Sequence, residues 1–169
     1  MRLHTSHITL CFAALAFACC TVDTTCRQDM RVRLGVALSS DSLRLNADST
    51  AYEHVSFSNV GPLTVVGENC DSLLADSATL SLLFLPLRKD CDTTSFIVNY
   101  AGADNKVTLF CTRQETYVSL ACGCAVMATI DSLACSGATL DSAKILNTAV
   151  TTVQEKHISL YFHLPQTIQ

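Results

Sequence analysis

The chain has 169 residues, 11 basic and 15 acidic side chains, 10 cysteines and a hydrophobic share of 49%. A net charge of −4 argues against nucleic acid as a partner and against electrostatic binding to anionic lipid. The length suits a single domain, and no apolar run reaches the roughly 20 residues that a membrane-spanning helix needs.

Residues 1–18 read as a secretory signal peptide, not as part of the fold. Arg2, His4 and His7 make a short basic lead, and Ile8–Ala18 is an apolar run of 11 residues. Ala16-Phe-Ala18 fits the small-x-small cleavage rule. The next residue is Cys19, and an export cleavage ending on a cysteine resembles the bacterial lipobox, where that cysteine is acylated (palmitate among the chains) and becomes the mature N-terminus. Ala16 stands where Leu is usual, so the alternatives are plain secretion or Cys20 as the anchor. Cleavage leaves 151 residues with 10 basic and 15 acidic side chains, a net of −5. Residues 19–25 then form a lipid-anchored tether and 26–169 one domain, long enough to bury roughly 70% of its unfolded surface.

From Cys26 onward the chain reads as β throughout. Val32, Leu34, Val36 and Leu38 alternate with Arg31, Arg33, Gly35 and Ala37, which predicts a strand with one buried and one wet face. Leu43–Ala47 and Ala51–Ser58 are weaker runs, and Leu63–Val66 follows the breaker Gly61-Pro62. Thr79–Leu85 reads as one near-continuous apolar strand closed by Pro86, and 87–94 as a polar loop. Phe96–Ala101 and Lys106–Thr112 flank 102–105, a hairpin loop. Tyr117–Ile130 is predicted as the central strand. By twos, Val118, Leu120, Cys122, Cys124, Val126, Ala128 and Ile130 share a face, which turns both cysteines toward the core. Ser142–Val150 and His157–Leu164 complete the set. On the last strand His157, Ser159, Tyr161 and His163 are expected on a wet face, with Ile158, Leu160, Phe162 and Leu164 on the other. About eight strands at this spacing predict an all-β fold, an antiparallel β-sandwich of immunoglobulin-like or related Greek-key form.

Chemistry is sparsely signalled. The histidines beyond residue 18, His54, His157 and His163, show neither C-x-x-C nor H-x-x-x-H spacing, so no metal site is expected. Asp90 and Asp92 form a lone D-x-D, too few ligands for calcium. No nucleophile elbow places a Ser-His-Asp set, and neither catalysis nor a cofactor is expected. One local pattern is far from random. Asp, then Ser or Thr, then a small set of mostly aliphatic residues begins at Asp23, Asp41, Asp48, Asp71, Asp76, Asp92, Asp131 and Asp141, 8 of the 11 aspartates, where composition alone predicts roughly one. The triplet resembles the O-glycosylation acceptor of exported Bacteroidota proteins, with Ser42, Ser72, Thr93, Ser132 and Ser142 as candidate sites. The plainer reading is turn formation, because these side chains bond the backbone locally.

A wider resemblance lies in the order of short motifs. Cys26-Arg-Gln-Asp29, Ser56-Phe-Ser-Asn59, Leu63-Thr-Val-Val-Gly67, Asp71-Ser-Leu-Leu74, Leu85-Pro-Leu87, Ser95-Phe-Ile-Val98, Val118-Ser-Leu-Ala-Cys-Gly-Cys124 and Ile158-Ser-Leu-Tyr-Phe162 follow one another. That series resembles an uncharacterised family of Bacteroidota lipoproteins, a domain of unknown function. The resemblance implies an exported, single-domain, envelope-attached protein, carried by an outer-membrane anchor that faces the periplasm or the surface. Its recurring cysteines match Cys26 and Cys122, with Cys124 in a subset, while Cys70, Cys91, Cys111 and Cys135 fall outside the pattern. It therefore implies a Cys26–Cys122 disulfide. Cys122–Cys124 is the rival pairing, with Cα atoms about 6.5 Å apart along an extended strand, near the limit for a bridge. The leading expectation is a non-catalytic envelope module whose partners are the membrane, through its anchor, and an envelope protein or glycan. A periplasmic thiol–disulfide oxidoreductase using Cys122 and Cys124 is the alternative.

Overall fold

The computed structural model describes residues 25–45, 52–68 and 72–163. Residues 1–18, expected to be a signal peptide, and Cys19, Cys20 and Cys70 lie outside them. Within the described residues every regular element is a strand. One sheet holds β1 (Arg33–Leu45), β2 (Tyr52–Phe57), β5 (Leu82–Pro86), β9 (Leu140–Ile145) and β11 (Ile158–His163). The other holds β3 (Val60–Gly67), β4 (Leu73–Leu80), β6 (Thr93–Tyr100), β7 (Ala103–Ser119), β8 (Gly123–Gly137) and β10 (Ala149–Val150).

The two sheets pack face to face as a β-sandwich, and period-two alternation explains the packing. Leu34, Val36 and Leu38 of β1 are at most 3% exposed. With Leu160 and Phe162 of β11 they meet Val65 of β3, Phe96 and Val98 of β6 and Leu109 of β7 in one core. Tyr100 and Phe162 meet edge to face across the sheets, ring centres 5.2 Å apart. Each such fully buried side chain stabilises the fold by roughly 1.5–3 kcal/mol relative to exposure.

In the first sheet β1 is shared. Its N-terminal half pairs with β5 and its C-terminal half with β2 along one edge. On the other edge it runs parallel to β11, Val36 opposite Ile158 through Asp41 opposite His163. That parallel pair departs from the purely antiparallel expectation. β11 enters β1's edge by way of residues 151–157, and β9 then pairs with its far side.

Four local expectations are corrected. Thr79–Leu85 is not one strand. β4 pairs with β3 in one sheet, β5 with β1 in the other, and the chain changes sheets at Ser81, whose carbonyl accepts from Leu38 N–H at 2.9 Å. Residues 102–105 are not all loop, because Tyr100 pairs with Ala103 and Asn99 with Asp104. The turn is Ala101-Gly102 alone, both with positive φ (53° and 79°), the geometry of a two-residue hairpin whose twist matches the strands. The Asp-Ser and Asp-Thr triplets are not confined to turns, since Asp41, Asp76, Asp131 and Asp141 lie within β1, β4, β8 and β9. Finally, Tyr117–Ile130 is a hairpin and not a strand.

Candidate functional site

β7 ends at Ser119 and β8 begins at Gly123. Ser119 Oγ accepts from Cys122 N–H at 3.1 Å, closing the turn. Gly123 takes φ +73° with nothing within 4 Å of a would-be Cβ. Glycine is required there by backbone geometry, not by space. Beyond the turn Tyr117 lies opposite Cys124, Glu115 opposite Val126 and Arg113 opposite Ala128. The even positions of β8 do share a face, and Ala128 and Ile130 on it are buried. Nearer the tip that face leaves the core: Cys124 is exposed, Val126 is 39% exposed and Leu120 86%. The expected core orientation of Cys122 and Cys124 is therefore wrong: Cys122 lies in the turn, outside the strand, and near the tip of β8 burial passes to the odd positions, Ala125 being buried and Cys124 exposed.

Cys122 is bonded to Cys26 across 96 residues of sequence, with Cα atoms 4.6 Å apart. The bond ties the segment that leads into β1 onto the tip of the β7–β8 hairpin, so it joins one sheet to the other at one end of the sandwich. Cys124, two residues along, is unbonded, as are Cys91, Cys111 and Cys135. Burial pushes the Cys111 thiol above its ordinary range, the environment of a structural and unreactive cysteine.

The histidines do not converge. His163 pairs with Asp141 at the surface, and His54 lies in β2. His157 is fully buried, against the expectation of a wet face. β11 has a neighbour on both edges, and the preceding loop folds over Gly35, whose would-be Cβ would sit 1.8 Å from the Glu155 carbonyl oxygen. Gly35 and His157 bond twice. Gly35 N–H donates to His157 Nδ1 at 2.8 Å, and His157 N–H donates to the Gly35 carbonyl at 2.8 Å. With Nδ1 accepting, the proton of the neutral ring sits on Nε2. Burial pushes the His157 pKa down, opposed in part by the Ala149 backbone and the Glu155 carboxylate.

A depressed histidine pKa means that the unfolded chain binds the proton more readily than the fold does. The stability contributed by neutral His157 is full above about pH 6.5 and is lost as pH falls from there through the folded value. Denaturant midpoints measured from pH 7.5 to 5 should fall across that window in the wild type. In His157→Gln, which keeps an acceptor for Gly35 but does not titrate, the fall should flatten. An unchanged slope would assign it to other groups.

On the outer face of the larger sheet a recess of about 340 Å³ is lined by Glu68, Arg88, the unbonded Cys91, Thr93, Ser95, Lys106 and Thr108. Lys106 and Glu68 form an ion pair, which lowers the Glu68 pKa, and Ser95 bonds Thr108 at 3.0 Å. Neutralised charges flanked by hydroxyls suit a polar, uncharged ligand such as a sugar, held by hydrogen bonds. Neither the recess nor the exposed tip stood out in the sequence. The recess joins alternate residues of three distant segments, and the tip was hidden by the uninterrupted apolar alternation of 117–130.

The candidate acceptors Ser72, Thr93, Ser132 and Ser142 are all exposed, and Ser42 lies in β1. Several neighbouring aspartates are engaged: Asp92 with Arg113, Asp131 with Thr112 and Asp141 with His163. Asp90 pairs with Arg88, so the D-x-D pair serves two arginines. Among the described residues no group of three or more His, Cys, Asp or Glu side chains is placed to hold a metal ion, and no helix is long and apolar enough to cross a membrane.

No curated protein and no solved structure matches this chain. A family profile does: residues 62–162, from β3 to the end of β11, match the Family of unknown function (DUF6452). The chain belongs to that family.

Proposed function

We propose that the chain is an exported lipoprotein of the bacterial envelope, anchored at Cys19, whose β-sandwich is a non-catalytic binding or structural module. The observation that carries the reading is the Cys26–Cys122 bond. Disulfides persist in oxidising compartments, and Cys26 follows closely on a basic, apolar, small-residue leader that ends at Cys19. The polar recess on the outer face supplies a site for an envelope glycan or a polar protein surface. The exposed Ser72, Thr93, Ser132 and Ser142 are open to O-glycosylation. The alternative, thiol–disulfide exchange through Cys122 and Cys124, is disfavoured by the same bond, because Cys122 is engaged with Cys26 and not with its neighbour.

Intact mass of protein from its native host tests both modifications. The mass should exceed that of residues 19–169 by acyl chains, and by glycan where the triplets are used. Cys19→Ala should abolish the acyl increment and leave the glycan increment. An acyl increment that survives Cys19→Ala and disappears with Cys20→Ala moves the anchor by one residue; no acyl increment at all ends the lipoprotein reading.

A further inference from the structure

The tip of the β7–β8 hairpin has three properties that converge. First, residues 116–130 are fifteen consecutive positions without an acidic, basic or histidine side chain. Along the hairpin the nearest charge to the turn is Glu115, level with Val126, so about 13 Å of hairpin beyond it is uncharged; the charge brought beside the tip is the basic Arg27, next to Cys26. Second, this segment displays apolar side chains to the outside, with Leu120 86%, Tyr117 64% and Val126 39% exposed. Leu120 is the most open of the large hydrophobics and sits in the turn itself. Third, the Cys26–Cys122 bond fixes this tip next to the start of the described chain. Cys26 follows Cys19 by seven residues, which span at most about 25 Å when fully extended.

We propose that this hairpin tip docks into the interfacial layer of the membrane that carries the anchor, Leu120 entering the headgroup–acyl boundary and the Tyr117 ring lying at headgroup level. The proposal rests on the lipoprotein reading above. The chemistry fits the occupant. An interfacial element buries its apolar face roughly 5–10 Å deep, within the uncharged length of the tip, and a tyrosine with an apolar body and a polar end is suited to that boundary. A protein partner is the less favoured occupant. The bilayer is already held within a short tether of the tip, so weak intrinsic affinity suffices at the resulting local concentration. The disulfide is then an orienting device as well as a staple. It turns one end of the sandwich to the membrane and leaves the opposite end, with the Ala101-Gly102 turn and Ser136, pointing away.

The protein contains no tryptophan, so a single introduced indole reports without background. Acylated full-length protein carrying Leu120→Trp is reconstituted into phosphatidylethanolamine–phosphatidylglycerol vesicles with brominated acyl chains. Its emission should shift to the blue and lose about half its intensity relative to unbrominated vesicles, while Ser136→Trp at the far end of β8 should lose none. The acyl increment in the mass and flotation with the vesicles establish the anchor separately. Protein that is acylated and floats, yet shows equal emission of Leu120→Trp in both lipids, overturns the docking and leaves the anchor intact. A blue shift that appears only with envelope protein extract, without bromine quenching, reassigns the tip to a protein surface. Protein that carries no acyl group and does not float overturns the anchor and the docking together.

Discussion

Replacing both Cys26 and Cys122 with Ala is expected to lower the unfolding free energy by about 4 kcal/mol. The bond spans 96 residues of sequence, and constraining a loop of that length in the unfolded chain contributes about 4–5 kcal/mol on the chain-entropy account. Residual structure in the unfolded chain reduces the figure. Against a total stability of about 5–15 kcal/mol, that is a large share. The topology adds to the effect: β1 pairs with β2, β5 and β11, and the segment leading into it meets the other sheet through this bond. The double substitution avoids leaving a lone thiol beside Cys124. Urea unfolding of the wild type in oxidising buffer, of the wild type with reductant and of the variant is the measurement. The last two curves should coincide, well below the first. A variant as stable as the oxidised wild type would remove the staple from the account, and with it the orientation of the hairpin tip.

The parts of the fold legible in the sequence are those where one face is buried and the other is wet. Val32 to Leu38 and Phe96 to Val98 reveal their strands and core faces because the pleat alternates and nothing interrupts it. The missed parts have a common physical cause, which is that the period of two continues through a change of partner. At Ser81 the chain leaves one sheet for the other without a break in its run of leucines. At Leu120–Cys122 it reverses direction while small and apolar residues keep alternating. At His157 a polar residue is buried where the loop over Gly35 covers a face that hydropathy alone marks as wet, and Ser159 is buried in a strand paired on both edges, opposite Ala37 and Lys144. The Cys26–Cys122 pairing is implied by the family resemblance, since spacing alone leaves Cys122–Cys124 open as well. The polar recess had no linear signal, since Glu68, Thr93 and Lys106 come from separate segments.

Asn105 is a residue that composition and motif left unmarked, and its removal is expected to be nearly as costly as that of the disulfide. Its side chain is fully buried. Nδ2 donates to the carbonyls of Val98 (3.1 Å) and Ala103 (3.2 Å) and to Thr139 Oγ1 (2.8 Å). Oδ1 accepts from the backbone N–H groups of Thr139 (3.1 Å) and Leu140 (3.0 Å). One amide thus holds the start of β7 to β6 and to the connection between β8 and β9. Asn105→Ala orphans two buried N–H donors, each costing about 1–3 kcal/mol, so a loss of about 3–4 kcal/mol is expected in urea unfolding. Asn105→Asp separates the roles of the two ends of the amide. Its oxygens keep the Thr139 and Leu140 donors, but a carboxylate faces the Val98 and Ala103 carbonyls, which favours the protonated acid and raises the folded pKa. For a group whose folded pKa is raised, the favourable contribution is full below the unfolded value of about 4 and is lost as pH rises through the folded value. The deficit of Asn105→Asp should therefore be large at pH 7 and shrink toward pH 4, while that of Asn105→Ala stays constant relative to the wild type. A negligible deficit of Asn105→Asp at both pH values would mean that the donors of Thr139 and Leu140, whose acceptor it keeps, and not the carbonyls of Val98 and Ala103, carry the whole effect.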